Sequence, residues 1–186
     1  MQKVQRKSTE FIEANAFTRN QFDLQSNTPL LKRHRKGTSL VYLPKGKKGY
    51  IYKKDIPNYK EKEPLIDAWK VIVAKASPGE DDIPHAIISA PIVSEPGSLC
   101  TDSHLVVRKV DNQFQAENFA AYMKTRFFRF MMFIAKNGQN MTKSTFRFVP
   151  VLDLDRKWCD DEIYDYFDFT VDERAFIDSM VTEPRA

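Results

Sequence analysis

Trp69-Lys70-Val71-Ile72-Val73-Ala74-Lys75 decides how the chain is read. Its β-branched middle and its consecutive apolar residues suit a strand covered on both faces, and so a central one. Something must then cover each face. One cover is legible downstream. Between Gln115 and Lys136, the residues Phe119, Tyr122, Met123, Phe127, Phe130, Met131 and Ile134 recur at steps of three and four, which predicts one long helix. Phe128 and Met132 give it a second apolar flank, so it is expected to be sandwiched. Asn137-Gly138 closes it, with glycine just past the end.

Working outward, Ser39–Leu43 and Tyr50–Lys54 read as a hairpin around the turn Pro44–Gly49. Residues 1–36 are polar with sparse apolar anchors and suit a short helix or two, then an exposed basic loop. Pro57–Pro64 reads as a polar connector and Ser77–Pro84 as an acidic loop. Ile87-Ile88 and Pro91–Val93 read as short strands, and Leu99–Val107 and Phe146–Val149 as strands. Asp160 or Asp161 can cap a short helix through Tyr166. Thr170 and Glu173 form a capping box that opens a helix from Val171 to about Met180. The expectation is an α+β fold: a twisted β-sheet, a long buried Phe-rich helix and a C-terminal helical segment. Residues 1–150 form the main domain, and 151–186 a helical extension packed on it.

The 186 residues are 42% hydrophobic and include 14 Phe, enough for a sizeable core. The net charge of +4 hides a strong asymmetry. Residues 1–76 hold 17 Lys/Arg against 7 Asp/Glu, whereas residues 151–186 hold 4 against 11. Such polarity suits a basic face for an anionic partner and an acidic end turned away from it; a surface where the two ends pair is the alternative. Two unrelated cysteines and three scattered histidines give no zinc spacing and no sign of a structural disulfide. With no signal-peptide pattern and no apolar run long enough to span a bilayer, the expected location is the cytoplasm and the expected partners exclude a membrane.

Chemistry is sparse. The six glycines form neither GxGxxG nor GxxxxGK[ST], and GxSxG and HExxH are missing. The Asp81-Asp82 and Asp153/Asp155 pairs read as solvated loop carboxylates. Catalysis by this chain alone is not expected. Cations are plentiful instead. Lys32, Arg33, Arg35 and Lys36 precede the hairpin, and Lys47, Lys48, Tyr50, Tyr52, Lys53 and Lys54 belong to it. Cations beside small turn residues let backbone approach phosphates, and tyrosines offer hydroxyls or stacking faces. A lysine-guarded edge hairpin is the bland reading. Gln139, Asn140 and Lys143 follow the Phe-rich helix; amides suit base edges, and an ordinary helix exit is the alternative. Arg126 and Arg129 are expected to pair with acids of residues 151–178 or, with Lys124, to line the helix's wet edge.

The blocks "AWKVIVAKAS", "APIVSEPGSLCTDSHLVV", "YMKTRFFRFMMFIAKNGQNMTKSTFRFVPVLDL" and "WCDDEIYDYFDFTVDERAFIDSMV", in that order, resemble the C-terminal part of restriction-modification adenine methyltransferases. The likeness is to the TaqI-like specificity (target recognition) domain of single-chain restriction enzyme/methylases, over about residues 20–183. It implies sequence-specific recognition of double-stranded DNA for a methyltransferase/nuclease catalytic domain, in cis or in trans. S-adenosylmethionine and Mg belong, by the same resemblance, to that catalytic part and not to this chain. The rival expectation is a protein-interaction module that docks a catalytic methyltransferase subunit through the acidic, aromatic segment from Asp153 to Glu183.

Overall fold

The computed structural model describes residues 1–17, 20–76, 83–136, 138 and 140–182. Helices α1 (Gln2–Lys7) and α2 (Ile12–Asn15) open the chain. The hairpin follows as β1 (Thr38–Tyr42) and β2 (Lys48–Tyr52), joined by a 3-10 turn at Pro44–Gly46. The expected connector instead contains a helix, α3 (Tyr59–Ile66), which tolerates Pro64 in its interior. Then come β3 (Trp69–Ala74), β4 (Ile92–Ser94), β5 (Ser98–Cys100) and β6 (His104–Val110). Four helices finish the order: α4 (Gln113–Lys124), α5 (Arg126–Ala135), α6 (Asp160–Tyr166) and α7 (Val171–Met180). The class is α+β, with two three-stranded sheets, β2-β1-β5 and β4-β3-β6, where one sheet was expected.

The second sheet is antiparallel throughout, with an irregularity of register at Val71/Ile72. As expected, β3 is its central strand, and both of its faces are buried. Val71 and Val73 join Leu105 and Val107 against α4 and α5 in the larger core. Ile72 and Val106 turn the other way, against Val41, Ile51 and Leu99 of the first sheet, in a second core. The layers are therefore helices, sheet, sheet. Residues 151–182 complete the larger core through Leu152, Trp158, Ile163, Phe167, Phe169 and Ile177.

Several expectations fail. The long helix is two helices. Thr125 takes an extended backbone, ends α4, and caps α5 by accepting from Phe128 N–H. The Asp160 carboxylate reinforces this cap, accepting from Arg126 N–H at 3.0 Å and Phe127 N–H at 2.9 Å. Asp160 thus caps α5 rather than its own helix, whose cap is Cys159 with Glu162. The break shifts the helical phase. Phe127, Phe128, Met131 and Met132 are buried, while Phe130 is half-buried and Ile134 exposed. The strand read from Leu99 to Val107 is cut at Thr101–Ser103, and its halves serve different sheets. Residues 143–146 form a 3-10 turn where a strand was read to begin, and Ile87-Ile88 is not a strand.

A charged residue shares the inter-sheet layer. Lys70 is fully buried, and its ammonium donates to the carbonyls of Ile66 (3.1 Å) and Ala68 (3.0 Å) at the C-terminal end of α3. Burial pulls its pKa down to about 8. A lysine depressed below its unfolded value sheds its proton first in the folded state, so the fold gains stability as pH rises from about 8 toward 10.5. Denaturant midpoints of wild type and Lys70→Met should bear this out. Wild-type stability gains on the variant across that window, by no more than about 3 kcal/mol. A constant difference refutes the account. Asp160→Ala, by loss of a cap, is expected to cost about 0.5–2 kcal/mol, read as a lower thermal midpoint.

Candidate nucleic-acid interface

The first sheet carries the basic half of the chain. Alternation along β1 and β2 buries Ser39, Val41, Gly49 and Ile51 and leaves Thr38, Leu40, Tyr50 and Tyr52 half-exposed on the other face. Leu31 extends this sheet through paired hydrogen bonds with Tyr50, N–H to carbonyl at 2.8 and 2.9 Å. The close fit depends on Gly49, where a Cβ would come within 2.8 Å of Leu30.

Lys32, Arg33, Arg35 and Lys36 are all exposed in the loop from Leu31 to β1. Thr38 holds that loop, its hydroxyl donating to Arg35 carbonyl (2.6 Å) and accepting from Arg35 N–H (3.1 Å). Lys53 N–H donates to Gly37 carbonyl at 3.1 Å, which brings exposed Lys53 and Lys54 to the same end of the hairpin. Lys47 and Lys48, with Lys45, are exposed at the opposite end, around the turn. The hairpin ladder pairs five residues on each strand, Thr38 with Tyr52 through Tyr42 with Lys48. It therefore separates the two cation groups by about 14 Å.

Aromatic rings partner these cations. Lys48 lies over the Tyr42 ring at 5.3 Å, Lys53 over Tyr59 at 5.5 Å and Lys54 over Tyr52 at 5.7 Å. His34 meets Tyr50 edge-on at 5.6 Å. Tyr42 is buried beside Glu95, and burial first, then the carboxylate, pushes its hydroxyl up to about 12.

The third candidate segment lies near the hairpin turn. Asn140 is exposed and bridges Ala76 at the end of β3, and Met141 N–H donates to Lys75 carbonyl at 2.8 Å. Lys143 is half-buried in the 3-10 turn, which Thr142 and Thr145 hold as a capping box. Gln139 lies outside the described residues, as do Asp81 and Asp82. A cleft joins this region to the turn: Lys45 and Gly46 line one wall, and Ala76, the partner of Asn140, lines the other.

The acidic end finds its partners elsewhere. Lys3 pairs with Glu173 and Lys7 with Asp168, each at 2.6 Å. Arg174 takes Asp165, Arg156 takes Glu162, and Arg126 takes Asp178, as expected for Arg126. The two ends of the chain do pair, but through α1. Among the described residues, no cation of residues 32–36 or 45–54 enters an ion pair. Arg129 is fully buried rather than on the wet edge, and its Nε donates to Thr125 carbonyl at 3.1 Å. Burial raises the Asp160 carboxyl, one of the acids expected for Arg129, and the Arg129 charge lowers it. Asp153 and Asp155 are engaged locally, Asp155 N–H donating to Asp153 and Gln115 donating to Asp155.

The sequence reading missed Ser103 and His104. Their chain of hydrogen bonds runs from Thr101 through the Ser103 hydroxyl to His104 Nδ1, at 2.8 and 2.9 Å. The only available signal was an Ser-His pair inside an expected strand. Among the described residues, no cluster of His, Cys, Asp and Glu is arranged to hold a metal, and no helix is long and apolar enough to cross a membrane.

Comparison with known proteins finds no family model that matches the chain and no curated protein that matches it.

The Lys3 pair has a pH signature. The ammonium, then the Thr170 backbone, holds the Glu173 carboxyl down at about 2. A carboxylate depressed below its unfolded value stabilises the fold above about pH 4.5 and loses that contribution as pH falls toward 2. Lys3→Met is expected to move the Glu173 carboxyl titration, followed by NMR, up toward the ordinary glutamate range and to raise the pH of acid unfolding. An unmoved titration would contradict the pairing.

Proposed function

We propose that the chain is a sequence-specific double-stranded DNA recognition domain of the TaqI-like specificity type. It works in the cytoplasm with a methyltransferase/endonuclease catalytic domain, in cis or in trans, and carries no catalysis itself. One observation bears most of the weight: among the described residues, the exposed cations at both ends of the hairpin have no carboxylate partner, although the chain is rich in carboxylates. Lys32, Arg33, Arg35, Lys36, Lys53 and Lys54 take phosphates at one end, and Lys47 and Lys48 take them at the other. The separation of about 14 Å is near the major-groove width of about 12 Å. Tyr50 and Tyr52 face outward between the two groups. Asn140, Lys143 and Gln139 supply further base or sugar contacts.

A second reading rests on a different surface. Phe130, Ile134, Val171 and Phe176 leave apolar area exposed or half-exposed along α5 and α7, with Phe176 56% exposed. That surface suits docking of a catalytic subunit through the acidic, aromatic end.

Fluorescence anisotropy with a pool of random duplexes distinguishes the readings. Engagement of six to ten phosphates lowers affinity by roughly 10³–10⁵ between ~50 and ~200 mM salt. Glutamate at Arg33, Lys36, Lys48 and Lys54 together should flatten the log–log salt slope by about 0.9 for each lost contact. Phe176→Asp should leave DNA affinity unchanged. An isotherm indifferent to salt and to the four substitutions overturns the DNA reading and favours docking.

A further inference from the structure

The helix layer turns an apolar face to solvent. Phe176 of α7 is 56% exposed, and its ring meets half-buried Phe130 of α5 edge-on at 5.9 Å. Ile134, one turn beyond Phe130, is exposed as well. Beside these rings lies a hollow of about 340 Å³, lined by Phe130, Phe169, Phe176 and Ile177 together with Asp172 and Glu173. Ala175 and Ser179, one turn apart and both exposed, keep the adjoining surface of α7 low. Contiguous apolar surface rimmed by polar residues marks a contact site.

Charge, backbone and symmetry together specify what covers it. α6 and α7 carry seven carboxylates and a single cation, Arg174, which Asp165 already holds. Lys3, Arg126 and Arg156 reach these helices and are spent on Glu173, Asp178 and Glu162. Asp172, which lines the hollow, enters no ion pair among the described residues. The remaining charge is negative, so it attracts a cation and repels nucleic acid or an anionic lipid surface. The flanks of two helices offer no free N–H or C=O. An extended segment laid there has no ladder to join, whereas a helix arrives with its own hydrogen bonds made. A second copy meeting this face through a two-fold axis would set Asp172 and its neighbours against themselves.

We propose that this face docks a basic amphipathic helix of a partner protein. The apolar stripe of that helix, at steps of three and four, covers Phe130, Ile134 and Phe176 and fills the hollow. A lysine or arginine beside the stripe pairs with Asp172. The occupant named here rests on the docking reading above, and it leaves the hairpin free for DNA, because α5 and α7 lie on the opposite side of β3.

The probe is a phage-displayed library of random peptides, selected against the full chain. Selected peptides are labelled with a fluorophore and titrated with wild type, Phe176→Asp and Asp172→Lys. Both side chains are exposed, and circular dichroism checks the fold of each variant. Ile134→Asp and Asp172→Asn stand in for either that does not fold. The expected binders have apolar residues at steps of three and four and a flanking Lys or Arg. Their affinity falls at least about 30-fold with Phe176→Asp and several-fold with Asp172→Lys. Changing the flanking basic residue to Glu should restore affinity for Asp172→Lys. Binders that need Phe176 but ignore Asp172 overturn the basic occupant and leave the docking reading standing. Binders that need Asp172 but ignore Phe176 overturn the apolar seat. Binders that need Phe176 but lack helical spacing overturn the helix. A library that yields no binder dependent on either residue overturns this proposal and the docking reading together.

Discussion

The structure depends on the need to cover both faces of β3. A strand with Val71 and Val73 on one side and Ile72 on the other exposes apolar area wherever either face is bare, at about 25 cal/mol per Å². The Phe-rich helices cover the first face, and the basic hairpin sheet covers the second. Lys70 is the charged exception. Two carbonyls at the C-terminal end of α3 satisfy its ammonium, and the partial negative charge of a helix end favours a cation there. The hairpin's seat on β3 is thus an apolar contact, and the buried charge beside it is satisfied locally, by carbonyls two and four residues before it.

That layering also separates the charges. Residues 151–182 pack into the helix layer and the hairpin forms the far sheet, with β3 and its neighbours between them. The acidic segment therefore meets the lysines that share its layer, Lys3 and Lys7, rather than those of the hairpin. Packing, rather than attraction between the two halves of the sequence, decides which cations are neutralised.

Legibility in the sequence follows the same logic. Elements specified by local pattern were readable. β3 announced itself by consecutive β-branched residues, the hairpin by its Pro/Gly turn, and α7 by Thr170 with Glu173. What failed was decided at a distance. Helical periodicity runs without interruption through Lys124-Thr125-Arg126, and the carboxylate that caps the break comes from Asp160, over thirty positions away. Nothing local says that residues 98–100 and 104–110 pair with different sheets, since that follows from which core each meets. At the candidate site, exposure of the cations was legible from charge runs. Their division between two ends of one ladder was not, because it needs the β1–β2 register and the bond from Lys53 to Gly37. The cleft lined by Lys45, Ala76 and His104 was hidden for the same reason: its walls come from both sheets.

The choice of partners for the hairpin lysines carries its own physical argument. A carboxylate beside Lys48, Lys53 or Lys54 would position the side chain but cancel its field. A tyrosine ring positions it too, through the negative face of the π-system, and leaves the unit charge intact. At exposed sites such contacts are worth about 0.5–1 kcal/mol each, enough to bias a rotamer and too little to hold the ammonium back from a phosphate. Restricting a lysine before binding lowers the ordering cost at the moment of contact. A hairpin built only to stay soluble has no need of that, because freely moving lysines guard an edge equally well. The tyrosine partners therefore favour a surface prepared for an anion over one that merely repels its neighbours.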